Sequence, residues 1–275
     1  MAKKGKKRTT KGKQRGWLIP KKQVRVWINQ AGEQVLQQDY TAAIQTCRRI
    51  LRYVPAKSAE RAEALEHLGA AYTMLKQFEA AYQAVSQALE ITPHQAHLWY
   101  NRGLIGRYTM RLVQAAQDFE KAGTLEAGRQ QGQKYAEILV STREMAESER
   151  ALRGPDFTLD QLQEQQELFQ QGIKLMQQEK WAEAEQVWHQ VIEIADCLPQ
   201  PQGNLGITLL MQNRYDQAEA AFKQALDIDP TYDLAQRNLD MLPMLQESGT
   251  TPHFSLRDPS AQAKVGLTPI WLDDD

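Results

Sequence analysis

The five histidines and two cysteines of this 275-residue chain are poorly arranged to ligate a metal or act as nucleophiles. His94 and His97 stand about one helical turn apart, yet no Asp, Glu or Cys follows at ligand spacing. His94 also directly follows Pro93, at a helix start where polar residues are common. His189 and His253 have no partner pattern. Cys47 and Cys197 lie far apart without a C-x-x-C pair, so neither a disulfide framework nor a zinc finger is expected, and a reducing cytoplasm fits best. Cys47 reads as buried filler rather than a nucleophile. The sequence contains no G-x-x-x-x-G-K-[ST], G-x-S-x-G, H-E-x-x-H or G-x-G-x-x-G. These absences lead to an expectation of no catalytic residue, no metal and no cofactor, and of a chain that is not an enzyme.

Charge is the next chemistry to place. Residues 1–25 carry eleven Lys or Arg and no acid, leaving 22 basic against 34 acidic groups, a net of −12, in the remainder. A basic arm is thus fused to an acidic body. Residues 1–22 hold too few apolar side chains to offset their ordering entropy and are expected to be disordered. Lys3, Lys4, Lys6, Lys7, Arg8, Lys11, Lys13 and Arg15 of this arm suit phosphate neutralisation, so nucleic acid is a possible partner. Met1 is followed by basic residues without an apolar region behind them, which argues against a secretory signal, and no run of about 18 apolar residues suggests a membrane span. A cytoplasmic location is expected. Oligomeric state leaves no mark in the sequence.

The elements that position these groups follow from small and large residues recurring at a fixed interval. Ala31, Gly69, Gly103, Gly172 and Gly206 occupy one position of the interval, and Ala43, Ala81, Ala115, Ala184 and Ala218 another. Small residues let two helices approach, while the larger Phe119, Trp188 and Phe222 fill the space beside them. The stretch 62–95 shows the full pattern: Leu65, Leu68-Gly69, Tyr72, Phe78, Ala81, Val85, Ala88 and Pro93. Residues 130–152 lack the Ala and Phe signature and read as one long helix, broken at Arg153-Gly154-Pro155-Asp156. Either Thr158 or Asp160 should cap the helix that follows. Leu198-Pro199-Gln200-Pro201 is expected to be a turn.

This spacing resembles the tetratricopeptide repeat, a 34-residue helix–turn–helix unit. The resemblance covers residues 24–57, 62–95, 96–129, 165–198 and 199–232, and it implies an all-α fold. That fold would be an α-solenoid of right-handed superhelical sense, in two blocks joined by a long helix. The expected organisation is a basic arm (1–22), three repeats (24–129), a connecting helix and loop (130–157), two repeats (158–232), a capping helix (233–246) and a loose tail (247–275). Arg102 stands where repeat three should carry Leu, and Gly106 where it should carry Tyr, so looser packing is expected there.

The family also implies that first helices line a concave groove for an extended peptide. Carried over by position, the sixth residues are Asn29, His67, Asn101, Gln170 and Asn204, and the second residues are Arg25, Glu63, His97, Gln166 and Gln200. Of these, Arg25, Asn29, His67, His97, Asn101, Gln170 and Asn204 are the candidate groove residues. Amides both donate and accept, so such a column can bond to peptide backbone. The Lys and Asn set with which some family members grip a C-terminal carboxylate is missing, since Ile28 and Gly32 occupy its first positions. The expected role is a scaffold, adaptor or assembly factor for a protein or peptide partner. Two further readings stand beside it: a ribonucleoprotein-associated factor using the arm, and a groove occupied by the chain's own Trp271 tip.

Overall fold

A computed structural model describes residues 19–248; the arm residues Lys3 to Arg15, and the tail with Trp271, lie outside the described residues. Among the described residues the regular structure is helical throughout. The helices are α1 (Lys21–Leu36), α2 (Tyr40–Tyr53), α3 (Ala59–Met74), α4 (Phe78–Ile91), α5 (Ala96–Tyr108), α6 (Leu112–Leu125), α7 (Gln130–Ala151), α8 (Leu159–Gln177), α9 (Trp181–Ile194), α10 (Pro199–Leu210), α11 (Tyr215–Ile228) and α12 (Asp233–Ser248). Each of α1–α2, α3–α4, α5–α6, α8–α9 and α10–α11 is an antiparallel pair, and within each unit the pairs stack on one another as a solenoid of helical repeats. The chain divides inside α7 into compact units spanning Met1–Ala146 and Glu147–Asp275.

The small residues act as the spacing requires. Ala43, Ala81, Ala115, Ala184 and Ala218 are all 0% exposed. A Cβ added at Gly103, Gly172 or Gly206 would stand 2.7, 2.6 or 2.5 Å from the rings of Phe119, Trp188 or Phe222. The ring of the second helix therefore lies directly on the backbone of the first, and helix pairs close to a distance that a side chain would prevent.

Every pair turns in the same way. Gln38, Lys76, Met110, Glu179 and Asn213 each adopt φ between 57° and 62°, at the fifteenth position of their repeats. The next residue sends its N–H back over the turn: Asp39 to Gln34, Gln77 to Tyr72, Arg111 to Gly106, Lys180 to Leu175 and Arg214 to Leu209, at 2.8–3.0 Å. This long backward bond satisfies an orphan carbonyl at the helix end and reverses the chain in three residues. None of the five residues is glycine.

Three sequence expectations are resolved locally, and the residues between repeats one and two find their place. Repeat three is tied rather than loose: Arg102 donates to both oxygens of Asp118, at 2.6 and 2.8 Å, and Gly106 lets Ala115 approach until an added Cβ would stand 3.2 Å from it. The Leu198–Pro201 stretch is not a turn. Leu198 stands at the N-cap position of α10 without a side-chain bond, and Pro199 begins the helix, where the missing N–H costs nothing because first-turn donors lack helical partners. Ser58 caps α3 through Arg61 N–H, so the four-residue insertion at 58–61 extends the first helix of repeat two by a turn. Thr158, not Asp160, caps α8, in a reciprocal capping box with Gln161.

In the first unit α7 packs on repeat three, with Tyr135 stacked on Tyr100 at 4.8 Å and Arg143 paired to Glu120 at 3.1 Å. In the second unit Arg150 donates to the Phe157 carbonyl at 2.8 Å and Arg153 to Gln165 at 2.6 Å, closing the loop around Gly154, whose φ is +111°.

Candidate functional site

The first helices of the first unit, α1, α3 and α5, carry five of the candidate groove residues. Arg25 on α1 reaches Glu63 on α3 through both guanidinium nitrogens, at 2.5 and 3.2 Å. His97 on α5 meets Glu66 on α3 at 3.1 Å, and the Glu66 carboxylate holds the His97 imidazole above its ordinary pKa. His67 lies against Gly32, where a Cβ would stand 3.3 Å from its ring. Arg25 and His97 therefore tie adjacent first helices together through Glu63 and Glu66, and their charge is met within the face. Asn29 is exposed and Asn101 is half-buried on the same face.

Behind this face lies a more deeply buried charge cluster. The Arg102–Asp118 pair has side-chain exposures of 15% and 1%. Burial pushes the Asp118 carboxyl up, against the bonds from Arg102. The Arg102 guanidinium also lies 4.9 Å from the centre of Trp99 and 5.6 Å from that of Tyr82. Arg111 packs on Tyr82 at 4.3 Å and pairs with Glu79 at 2.6 Å. These groups join repeat two to repeat three. Cys47 is 0% exposed, and burial pushes its thiol up to about 12, which keeps it protonated and unreactive.

The second unit holds the other two candidates differently. Gln170 on α8 is half-buried, whereas Asn204 on α10 is only 7% exposed. By register Asn204 belongs to an open column. In the structure α9, α11 and α12 pack around α10, and every residue of α10 except Gln200 is buried. Asn238 on α12, 4% exposed, continues the register 34 residues after Asn204. The capping-helix reading of 233–246 passes over it, although the interval from Gln170 through Asn204 points to it. Gln166 Oε1 on α8, Gln200 Oε1 and Gln202 Oε1 on α10, and Asn238 Nδ2 on α12 are buried without hydrogen-bond partners.

Profiles of known families match in two places. Residues 33–96 and 200–232 each fit a family described as tetratricopeptide repeat. Both units carry tetratricopeptide repeats. No curated protein matches its sequence. Among solved structures, it is similar to YrrB, a tetratricopeptide repeat protein with an unusual peptide-binding site, at 17% identity over 78% of this chain and 90% of that one, with a TM-score of 0.33. The TPR2AB domain of yeast Sti1, solved with pHSP90, is 14% identical over 83% and 86%, with a TM-score of 0.40. A tetratricopeptide repeat protein from Parabacteroides merdae is 18% identical over 80% and 84%, with a TM-score of 0.39. No helix of this repeat protein is long and apolar enough to cross a membrane, among the described residues.

Proposed function

We propose that this protein is a non-enzymatic cytoplasmic scaffold, an adaptor or assembly factor, that holds an extended segment of a partner protein along the first-helix face of its first unit. The observation that carries the reading is the division of labour on that face. Arg25–Glu63 and His97–Glu66 tie neighbouring helices to one another, while Asn29 and Asn101 keep their amides towards the surface. An amide pairs with either half of a peptide group, and a face already tied together loses little freedom on binding. Exposed Leu36 and Met74, at the thirteenth positions of repeats one and two, add an apolar ledge beside the amides.

The test is affinity capture from native lysate with the intact chain and with the Asn29→Ala/Asn101→Ala double variant, read by mass spectrometry. The intact chain should recover a protein that the variant loses while its helical circular dichroism is unchanged. Equal recovery by both refutes the assignment. The arm supports a second reading because eleven basic residues fall in the first 25 positions without an acid. A chain lacking residues 1–22, with nuclease in the capture, separates the two: loss of the partner under either condition transfers the function to the arm and a nucleic acid.

A further inference from the structure

Arginines that join helices in the first unit end on oxygen. Arg25, Arg102, Arg111 and Arg143 each reach a carboxylate on a neighbouring helix. Arg48 and Arg61 reach a tyrosine hydroxyl and a backbone carbonyl. Arg107, half-buried in the last turn of α5, is different. Its Nη2 lies 3.2 Å from the Met145 sulfur on α7, a weak acceptor, and no carboxylate pairs with it among the described residues. Burial holds the guanidinium below its ordinary pKa, and the neighbours that oppose the shift are Tyr108 and Tyr100 rather than an acid. Both rings are held in place, Tyr108 stacked on Phe78 at 4.7 Å and Tyr100 on Tyr135 at 4.8 Å. A cation drawn from water without a counter-charge is costly, so this one marks a missing anion. The charge of the unit points the same way. Residues 19–146 carry 16 Lys or Arg against 12 Asp or Glu, whereas residues 147–248 carry 7 against 18. The first unit is therefore the one whose field favours an acidic ligand.

We propose that Arg107 is a binding site for the side-chain carboxylate of an aspartate or glutamate in the partner segment. The inference rests on the reading that the first-helix face of this unit holds an extended partner segment. A guanidinium presents a planar fork of donors that a carboxylate fills with two parallel bonds. It supplies one positive charge, which a carboxylate matches, whereas a phosphate of about −1.5 to −2 would be left half neutralised. Arg107 stands ten residues beyond His97, outside the positions of the set that grips a C-terminal carboxylate, so a side chain within the segment is the group it meets. Register adds a pattern. Arg107 and Tyr108 are the twelfth and thirteenth residues of repeat three, and the thirteenth residues of repeats one and two are the exposed Leu36 and Met74. The apolar ledge of the unit thus leads towards a cation. Neighbouring first helices lie roughly 10 Å apart, which about three extended residues cover. Apolar side chains about three and about six positions from the acid therefore fall on Met74 and Leu36.

The test is affinity selection on the full chain from a randomised synthetic peptide library, acetylated and amidated so that it carries no terminal carboxylate. Retained peptides are sequenced by mass spectrometry. The expected result is Asp or Glu at one fixed position, with apolar residues about three and about six positions away. Arg107→Gln should weaken a selected peptide about ten- to hundredfold, the worth of hydrogen bonds to a charged group, and should leave thermal unfolding unchanged because it breaks no ion pair. Arg107→Glu should turn the preference at that position to Lys or Arg, a gain that a misfolded variant could not produce. Peptides without an acidic preference, or a preference that Arg107→Gln and Arg107→Glu leave intact, overturn the proposal. Peptides that weaken with Asn29→Ala/Asn101→Ala but not with Arg107→Gln remove the acidic contact and leave the scaffold reading standing. Retention of no peptide overturns both.

Discussion

Repeat three should be intolerant of losing either member of its buried ion pair and tolerant of losing both. Arg102 occupies the seventh position, where repeats two and five carry Leu68 and Leu205, and Asp118 the twenty-third, where they carry Ala84 and Ala221. Arg102→Leu removes the two bonds at 2.6 and 2.8 Å and leaves a carboxyl that is 1% exposed with Gln114 as its remaining neighbour, at 3.2 Å. The carboxyl then stays protonated in the folded state. That costs about 1.4 kcal/mol for each pH unit above the unfolded value near 3.9, so about 4 kcal/mol at pH 7 and about 1.5 kcal/mol at pH 5. The destabilisation grows with pH because only the unfolded state releases the proton. Asp118→Ala should cost about 3 kcal/mol by stranding the guanidinium. Arg102→Leu/Asp118→Ala restores the pairing of repeats two and five and should fall within about 1 kcal/mol of the parent. Urea unfolding followed by circular dichroism at pH 5 and pH 7 measures all four chains. Additive losses in the double variant, or an Arg102→Leu cost that ignores pH, would refute the reasoning.

Four further outcomes follow. Ala81→Leu and Ala218→Leu, at positions 0% exposed, should each lose roughly 1–3 kcal/mol through overpacking, and a melt like that of the parent would show the register to be wrong. In an NMR titration the His97 imidazole should lose its proton above the ordinary value near 6.5, and Glu66→Gln should bring it back down. The attached stability is fully present below about 6.5 and is lost as pH rises through the folded value, because the imidazolium is the form that Glu66 holds. Thr158→Ala should cost about 1 kcal/mol by opening the capping box of α8, read from the denaturation midpoint, whereas Asp160→Ala should cost less. Glu179→Gly should gain about 0.5–1 kcal/mol, because relief of a left-handed φ of 59° outweighs the added freedom of the unfolded chain; a lower melting temperature would contradict it.

What the sequence disclosed and what it withheld divide along a physical line. Glycine or alanine at the eighth position, alanine at the twentieth and a large ring at the twenty-fourth state directly how closely two helices pack, and Gly103, Gly172 and Gly206 meet their rings accordingly. The turns between helices are not readable from composition, because Gln38, Lys76, Met110 and Glu179 are not residues that announce a left-handed conformation. Arg102 looks like a defect in sequence because its partner lies sixteen residues away on the next helix, where only the fold brings it into reach. Asn238 is hidden for the opposite reason: leucines draw α12 towards the reading of a simple cap. The groove positions can be named by register, but the mutual pairing of Arg25 with Glu63 and the enclosure of Asn204 depend on distances that register does not contain.

The five left-handed residues also make the protein its own ruler. Gln38, Lys76 and Met110 in one unit, and Glu179 and Asn213 in the other, share one backbone conformation at one place in each repeat. All are at least partly accessible to solvent. Labels attached at these positions leave the chain with the same local geometry, so a distance between two labels in one unit reports the step from repeat to repeat rather than the whims of a linker. A stretch or twist of the stack on binding would then emerge as a change in evenly graduated marks, each unit read against its own scale.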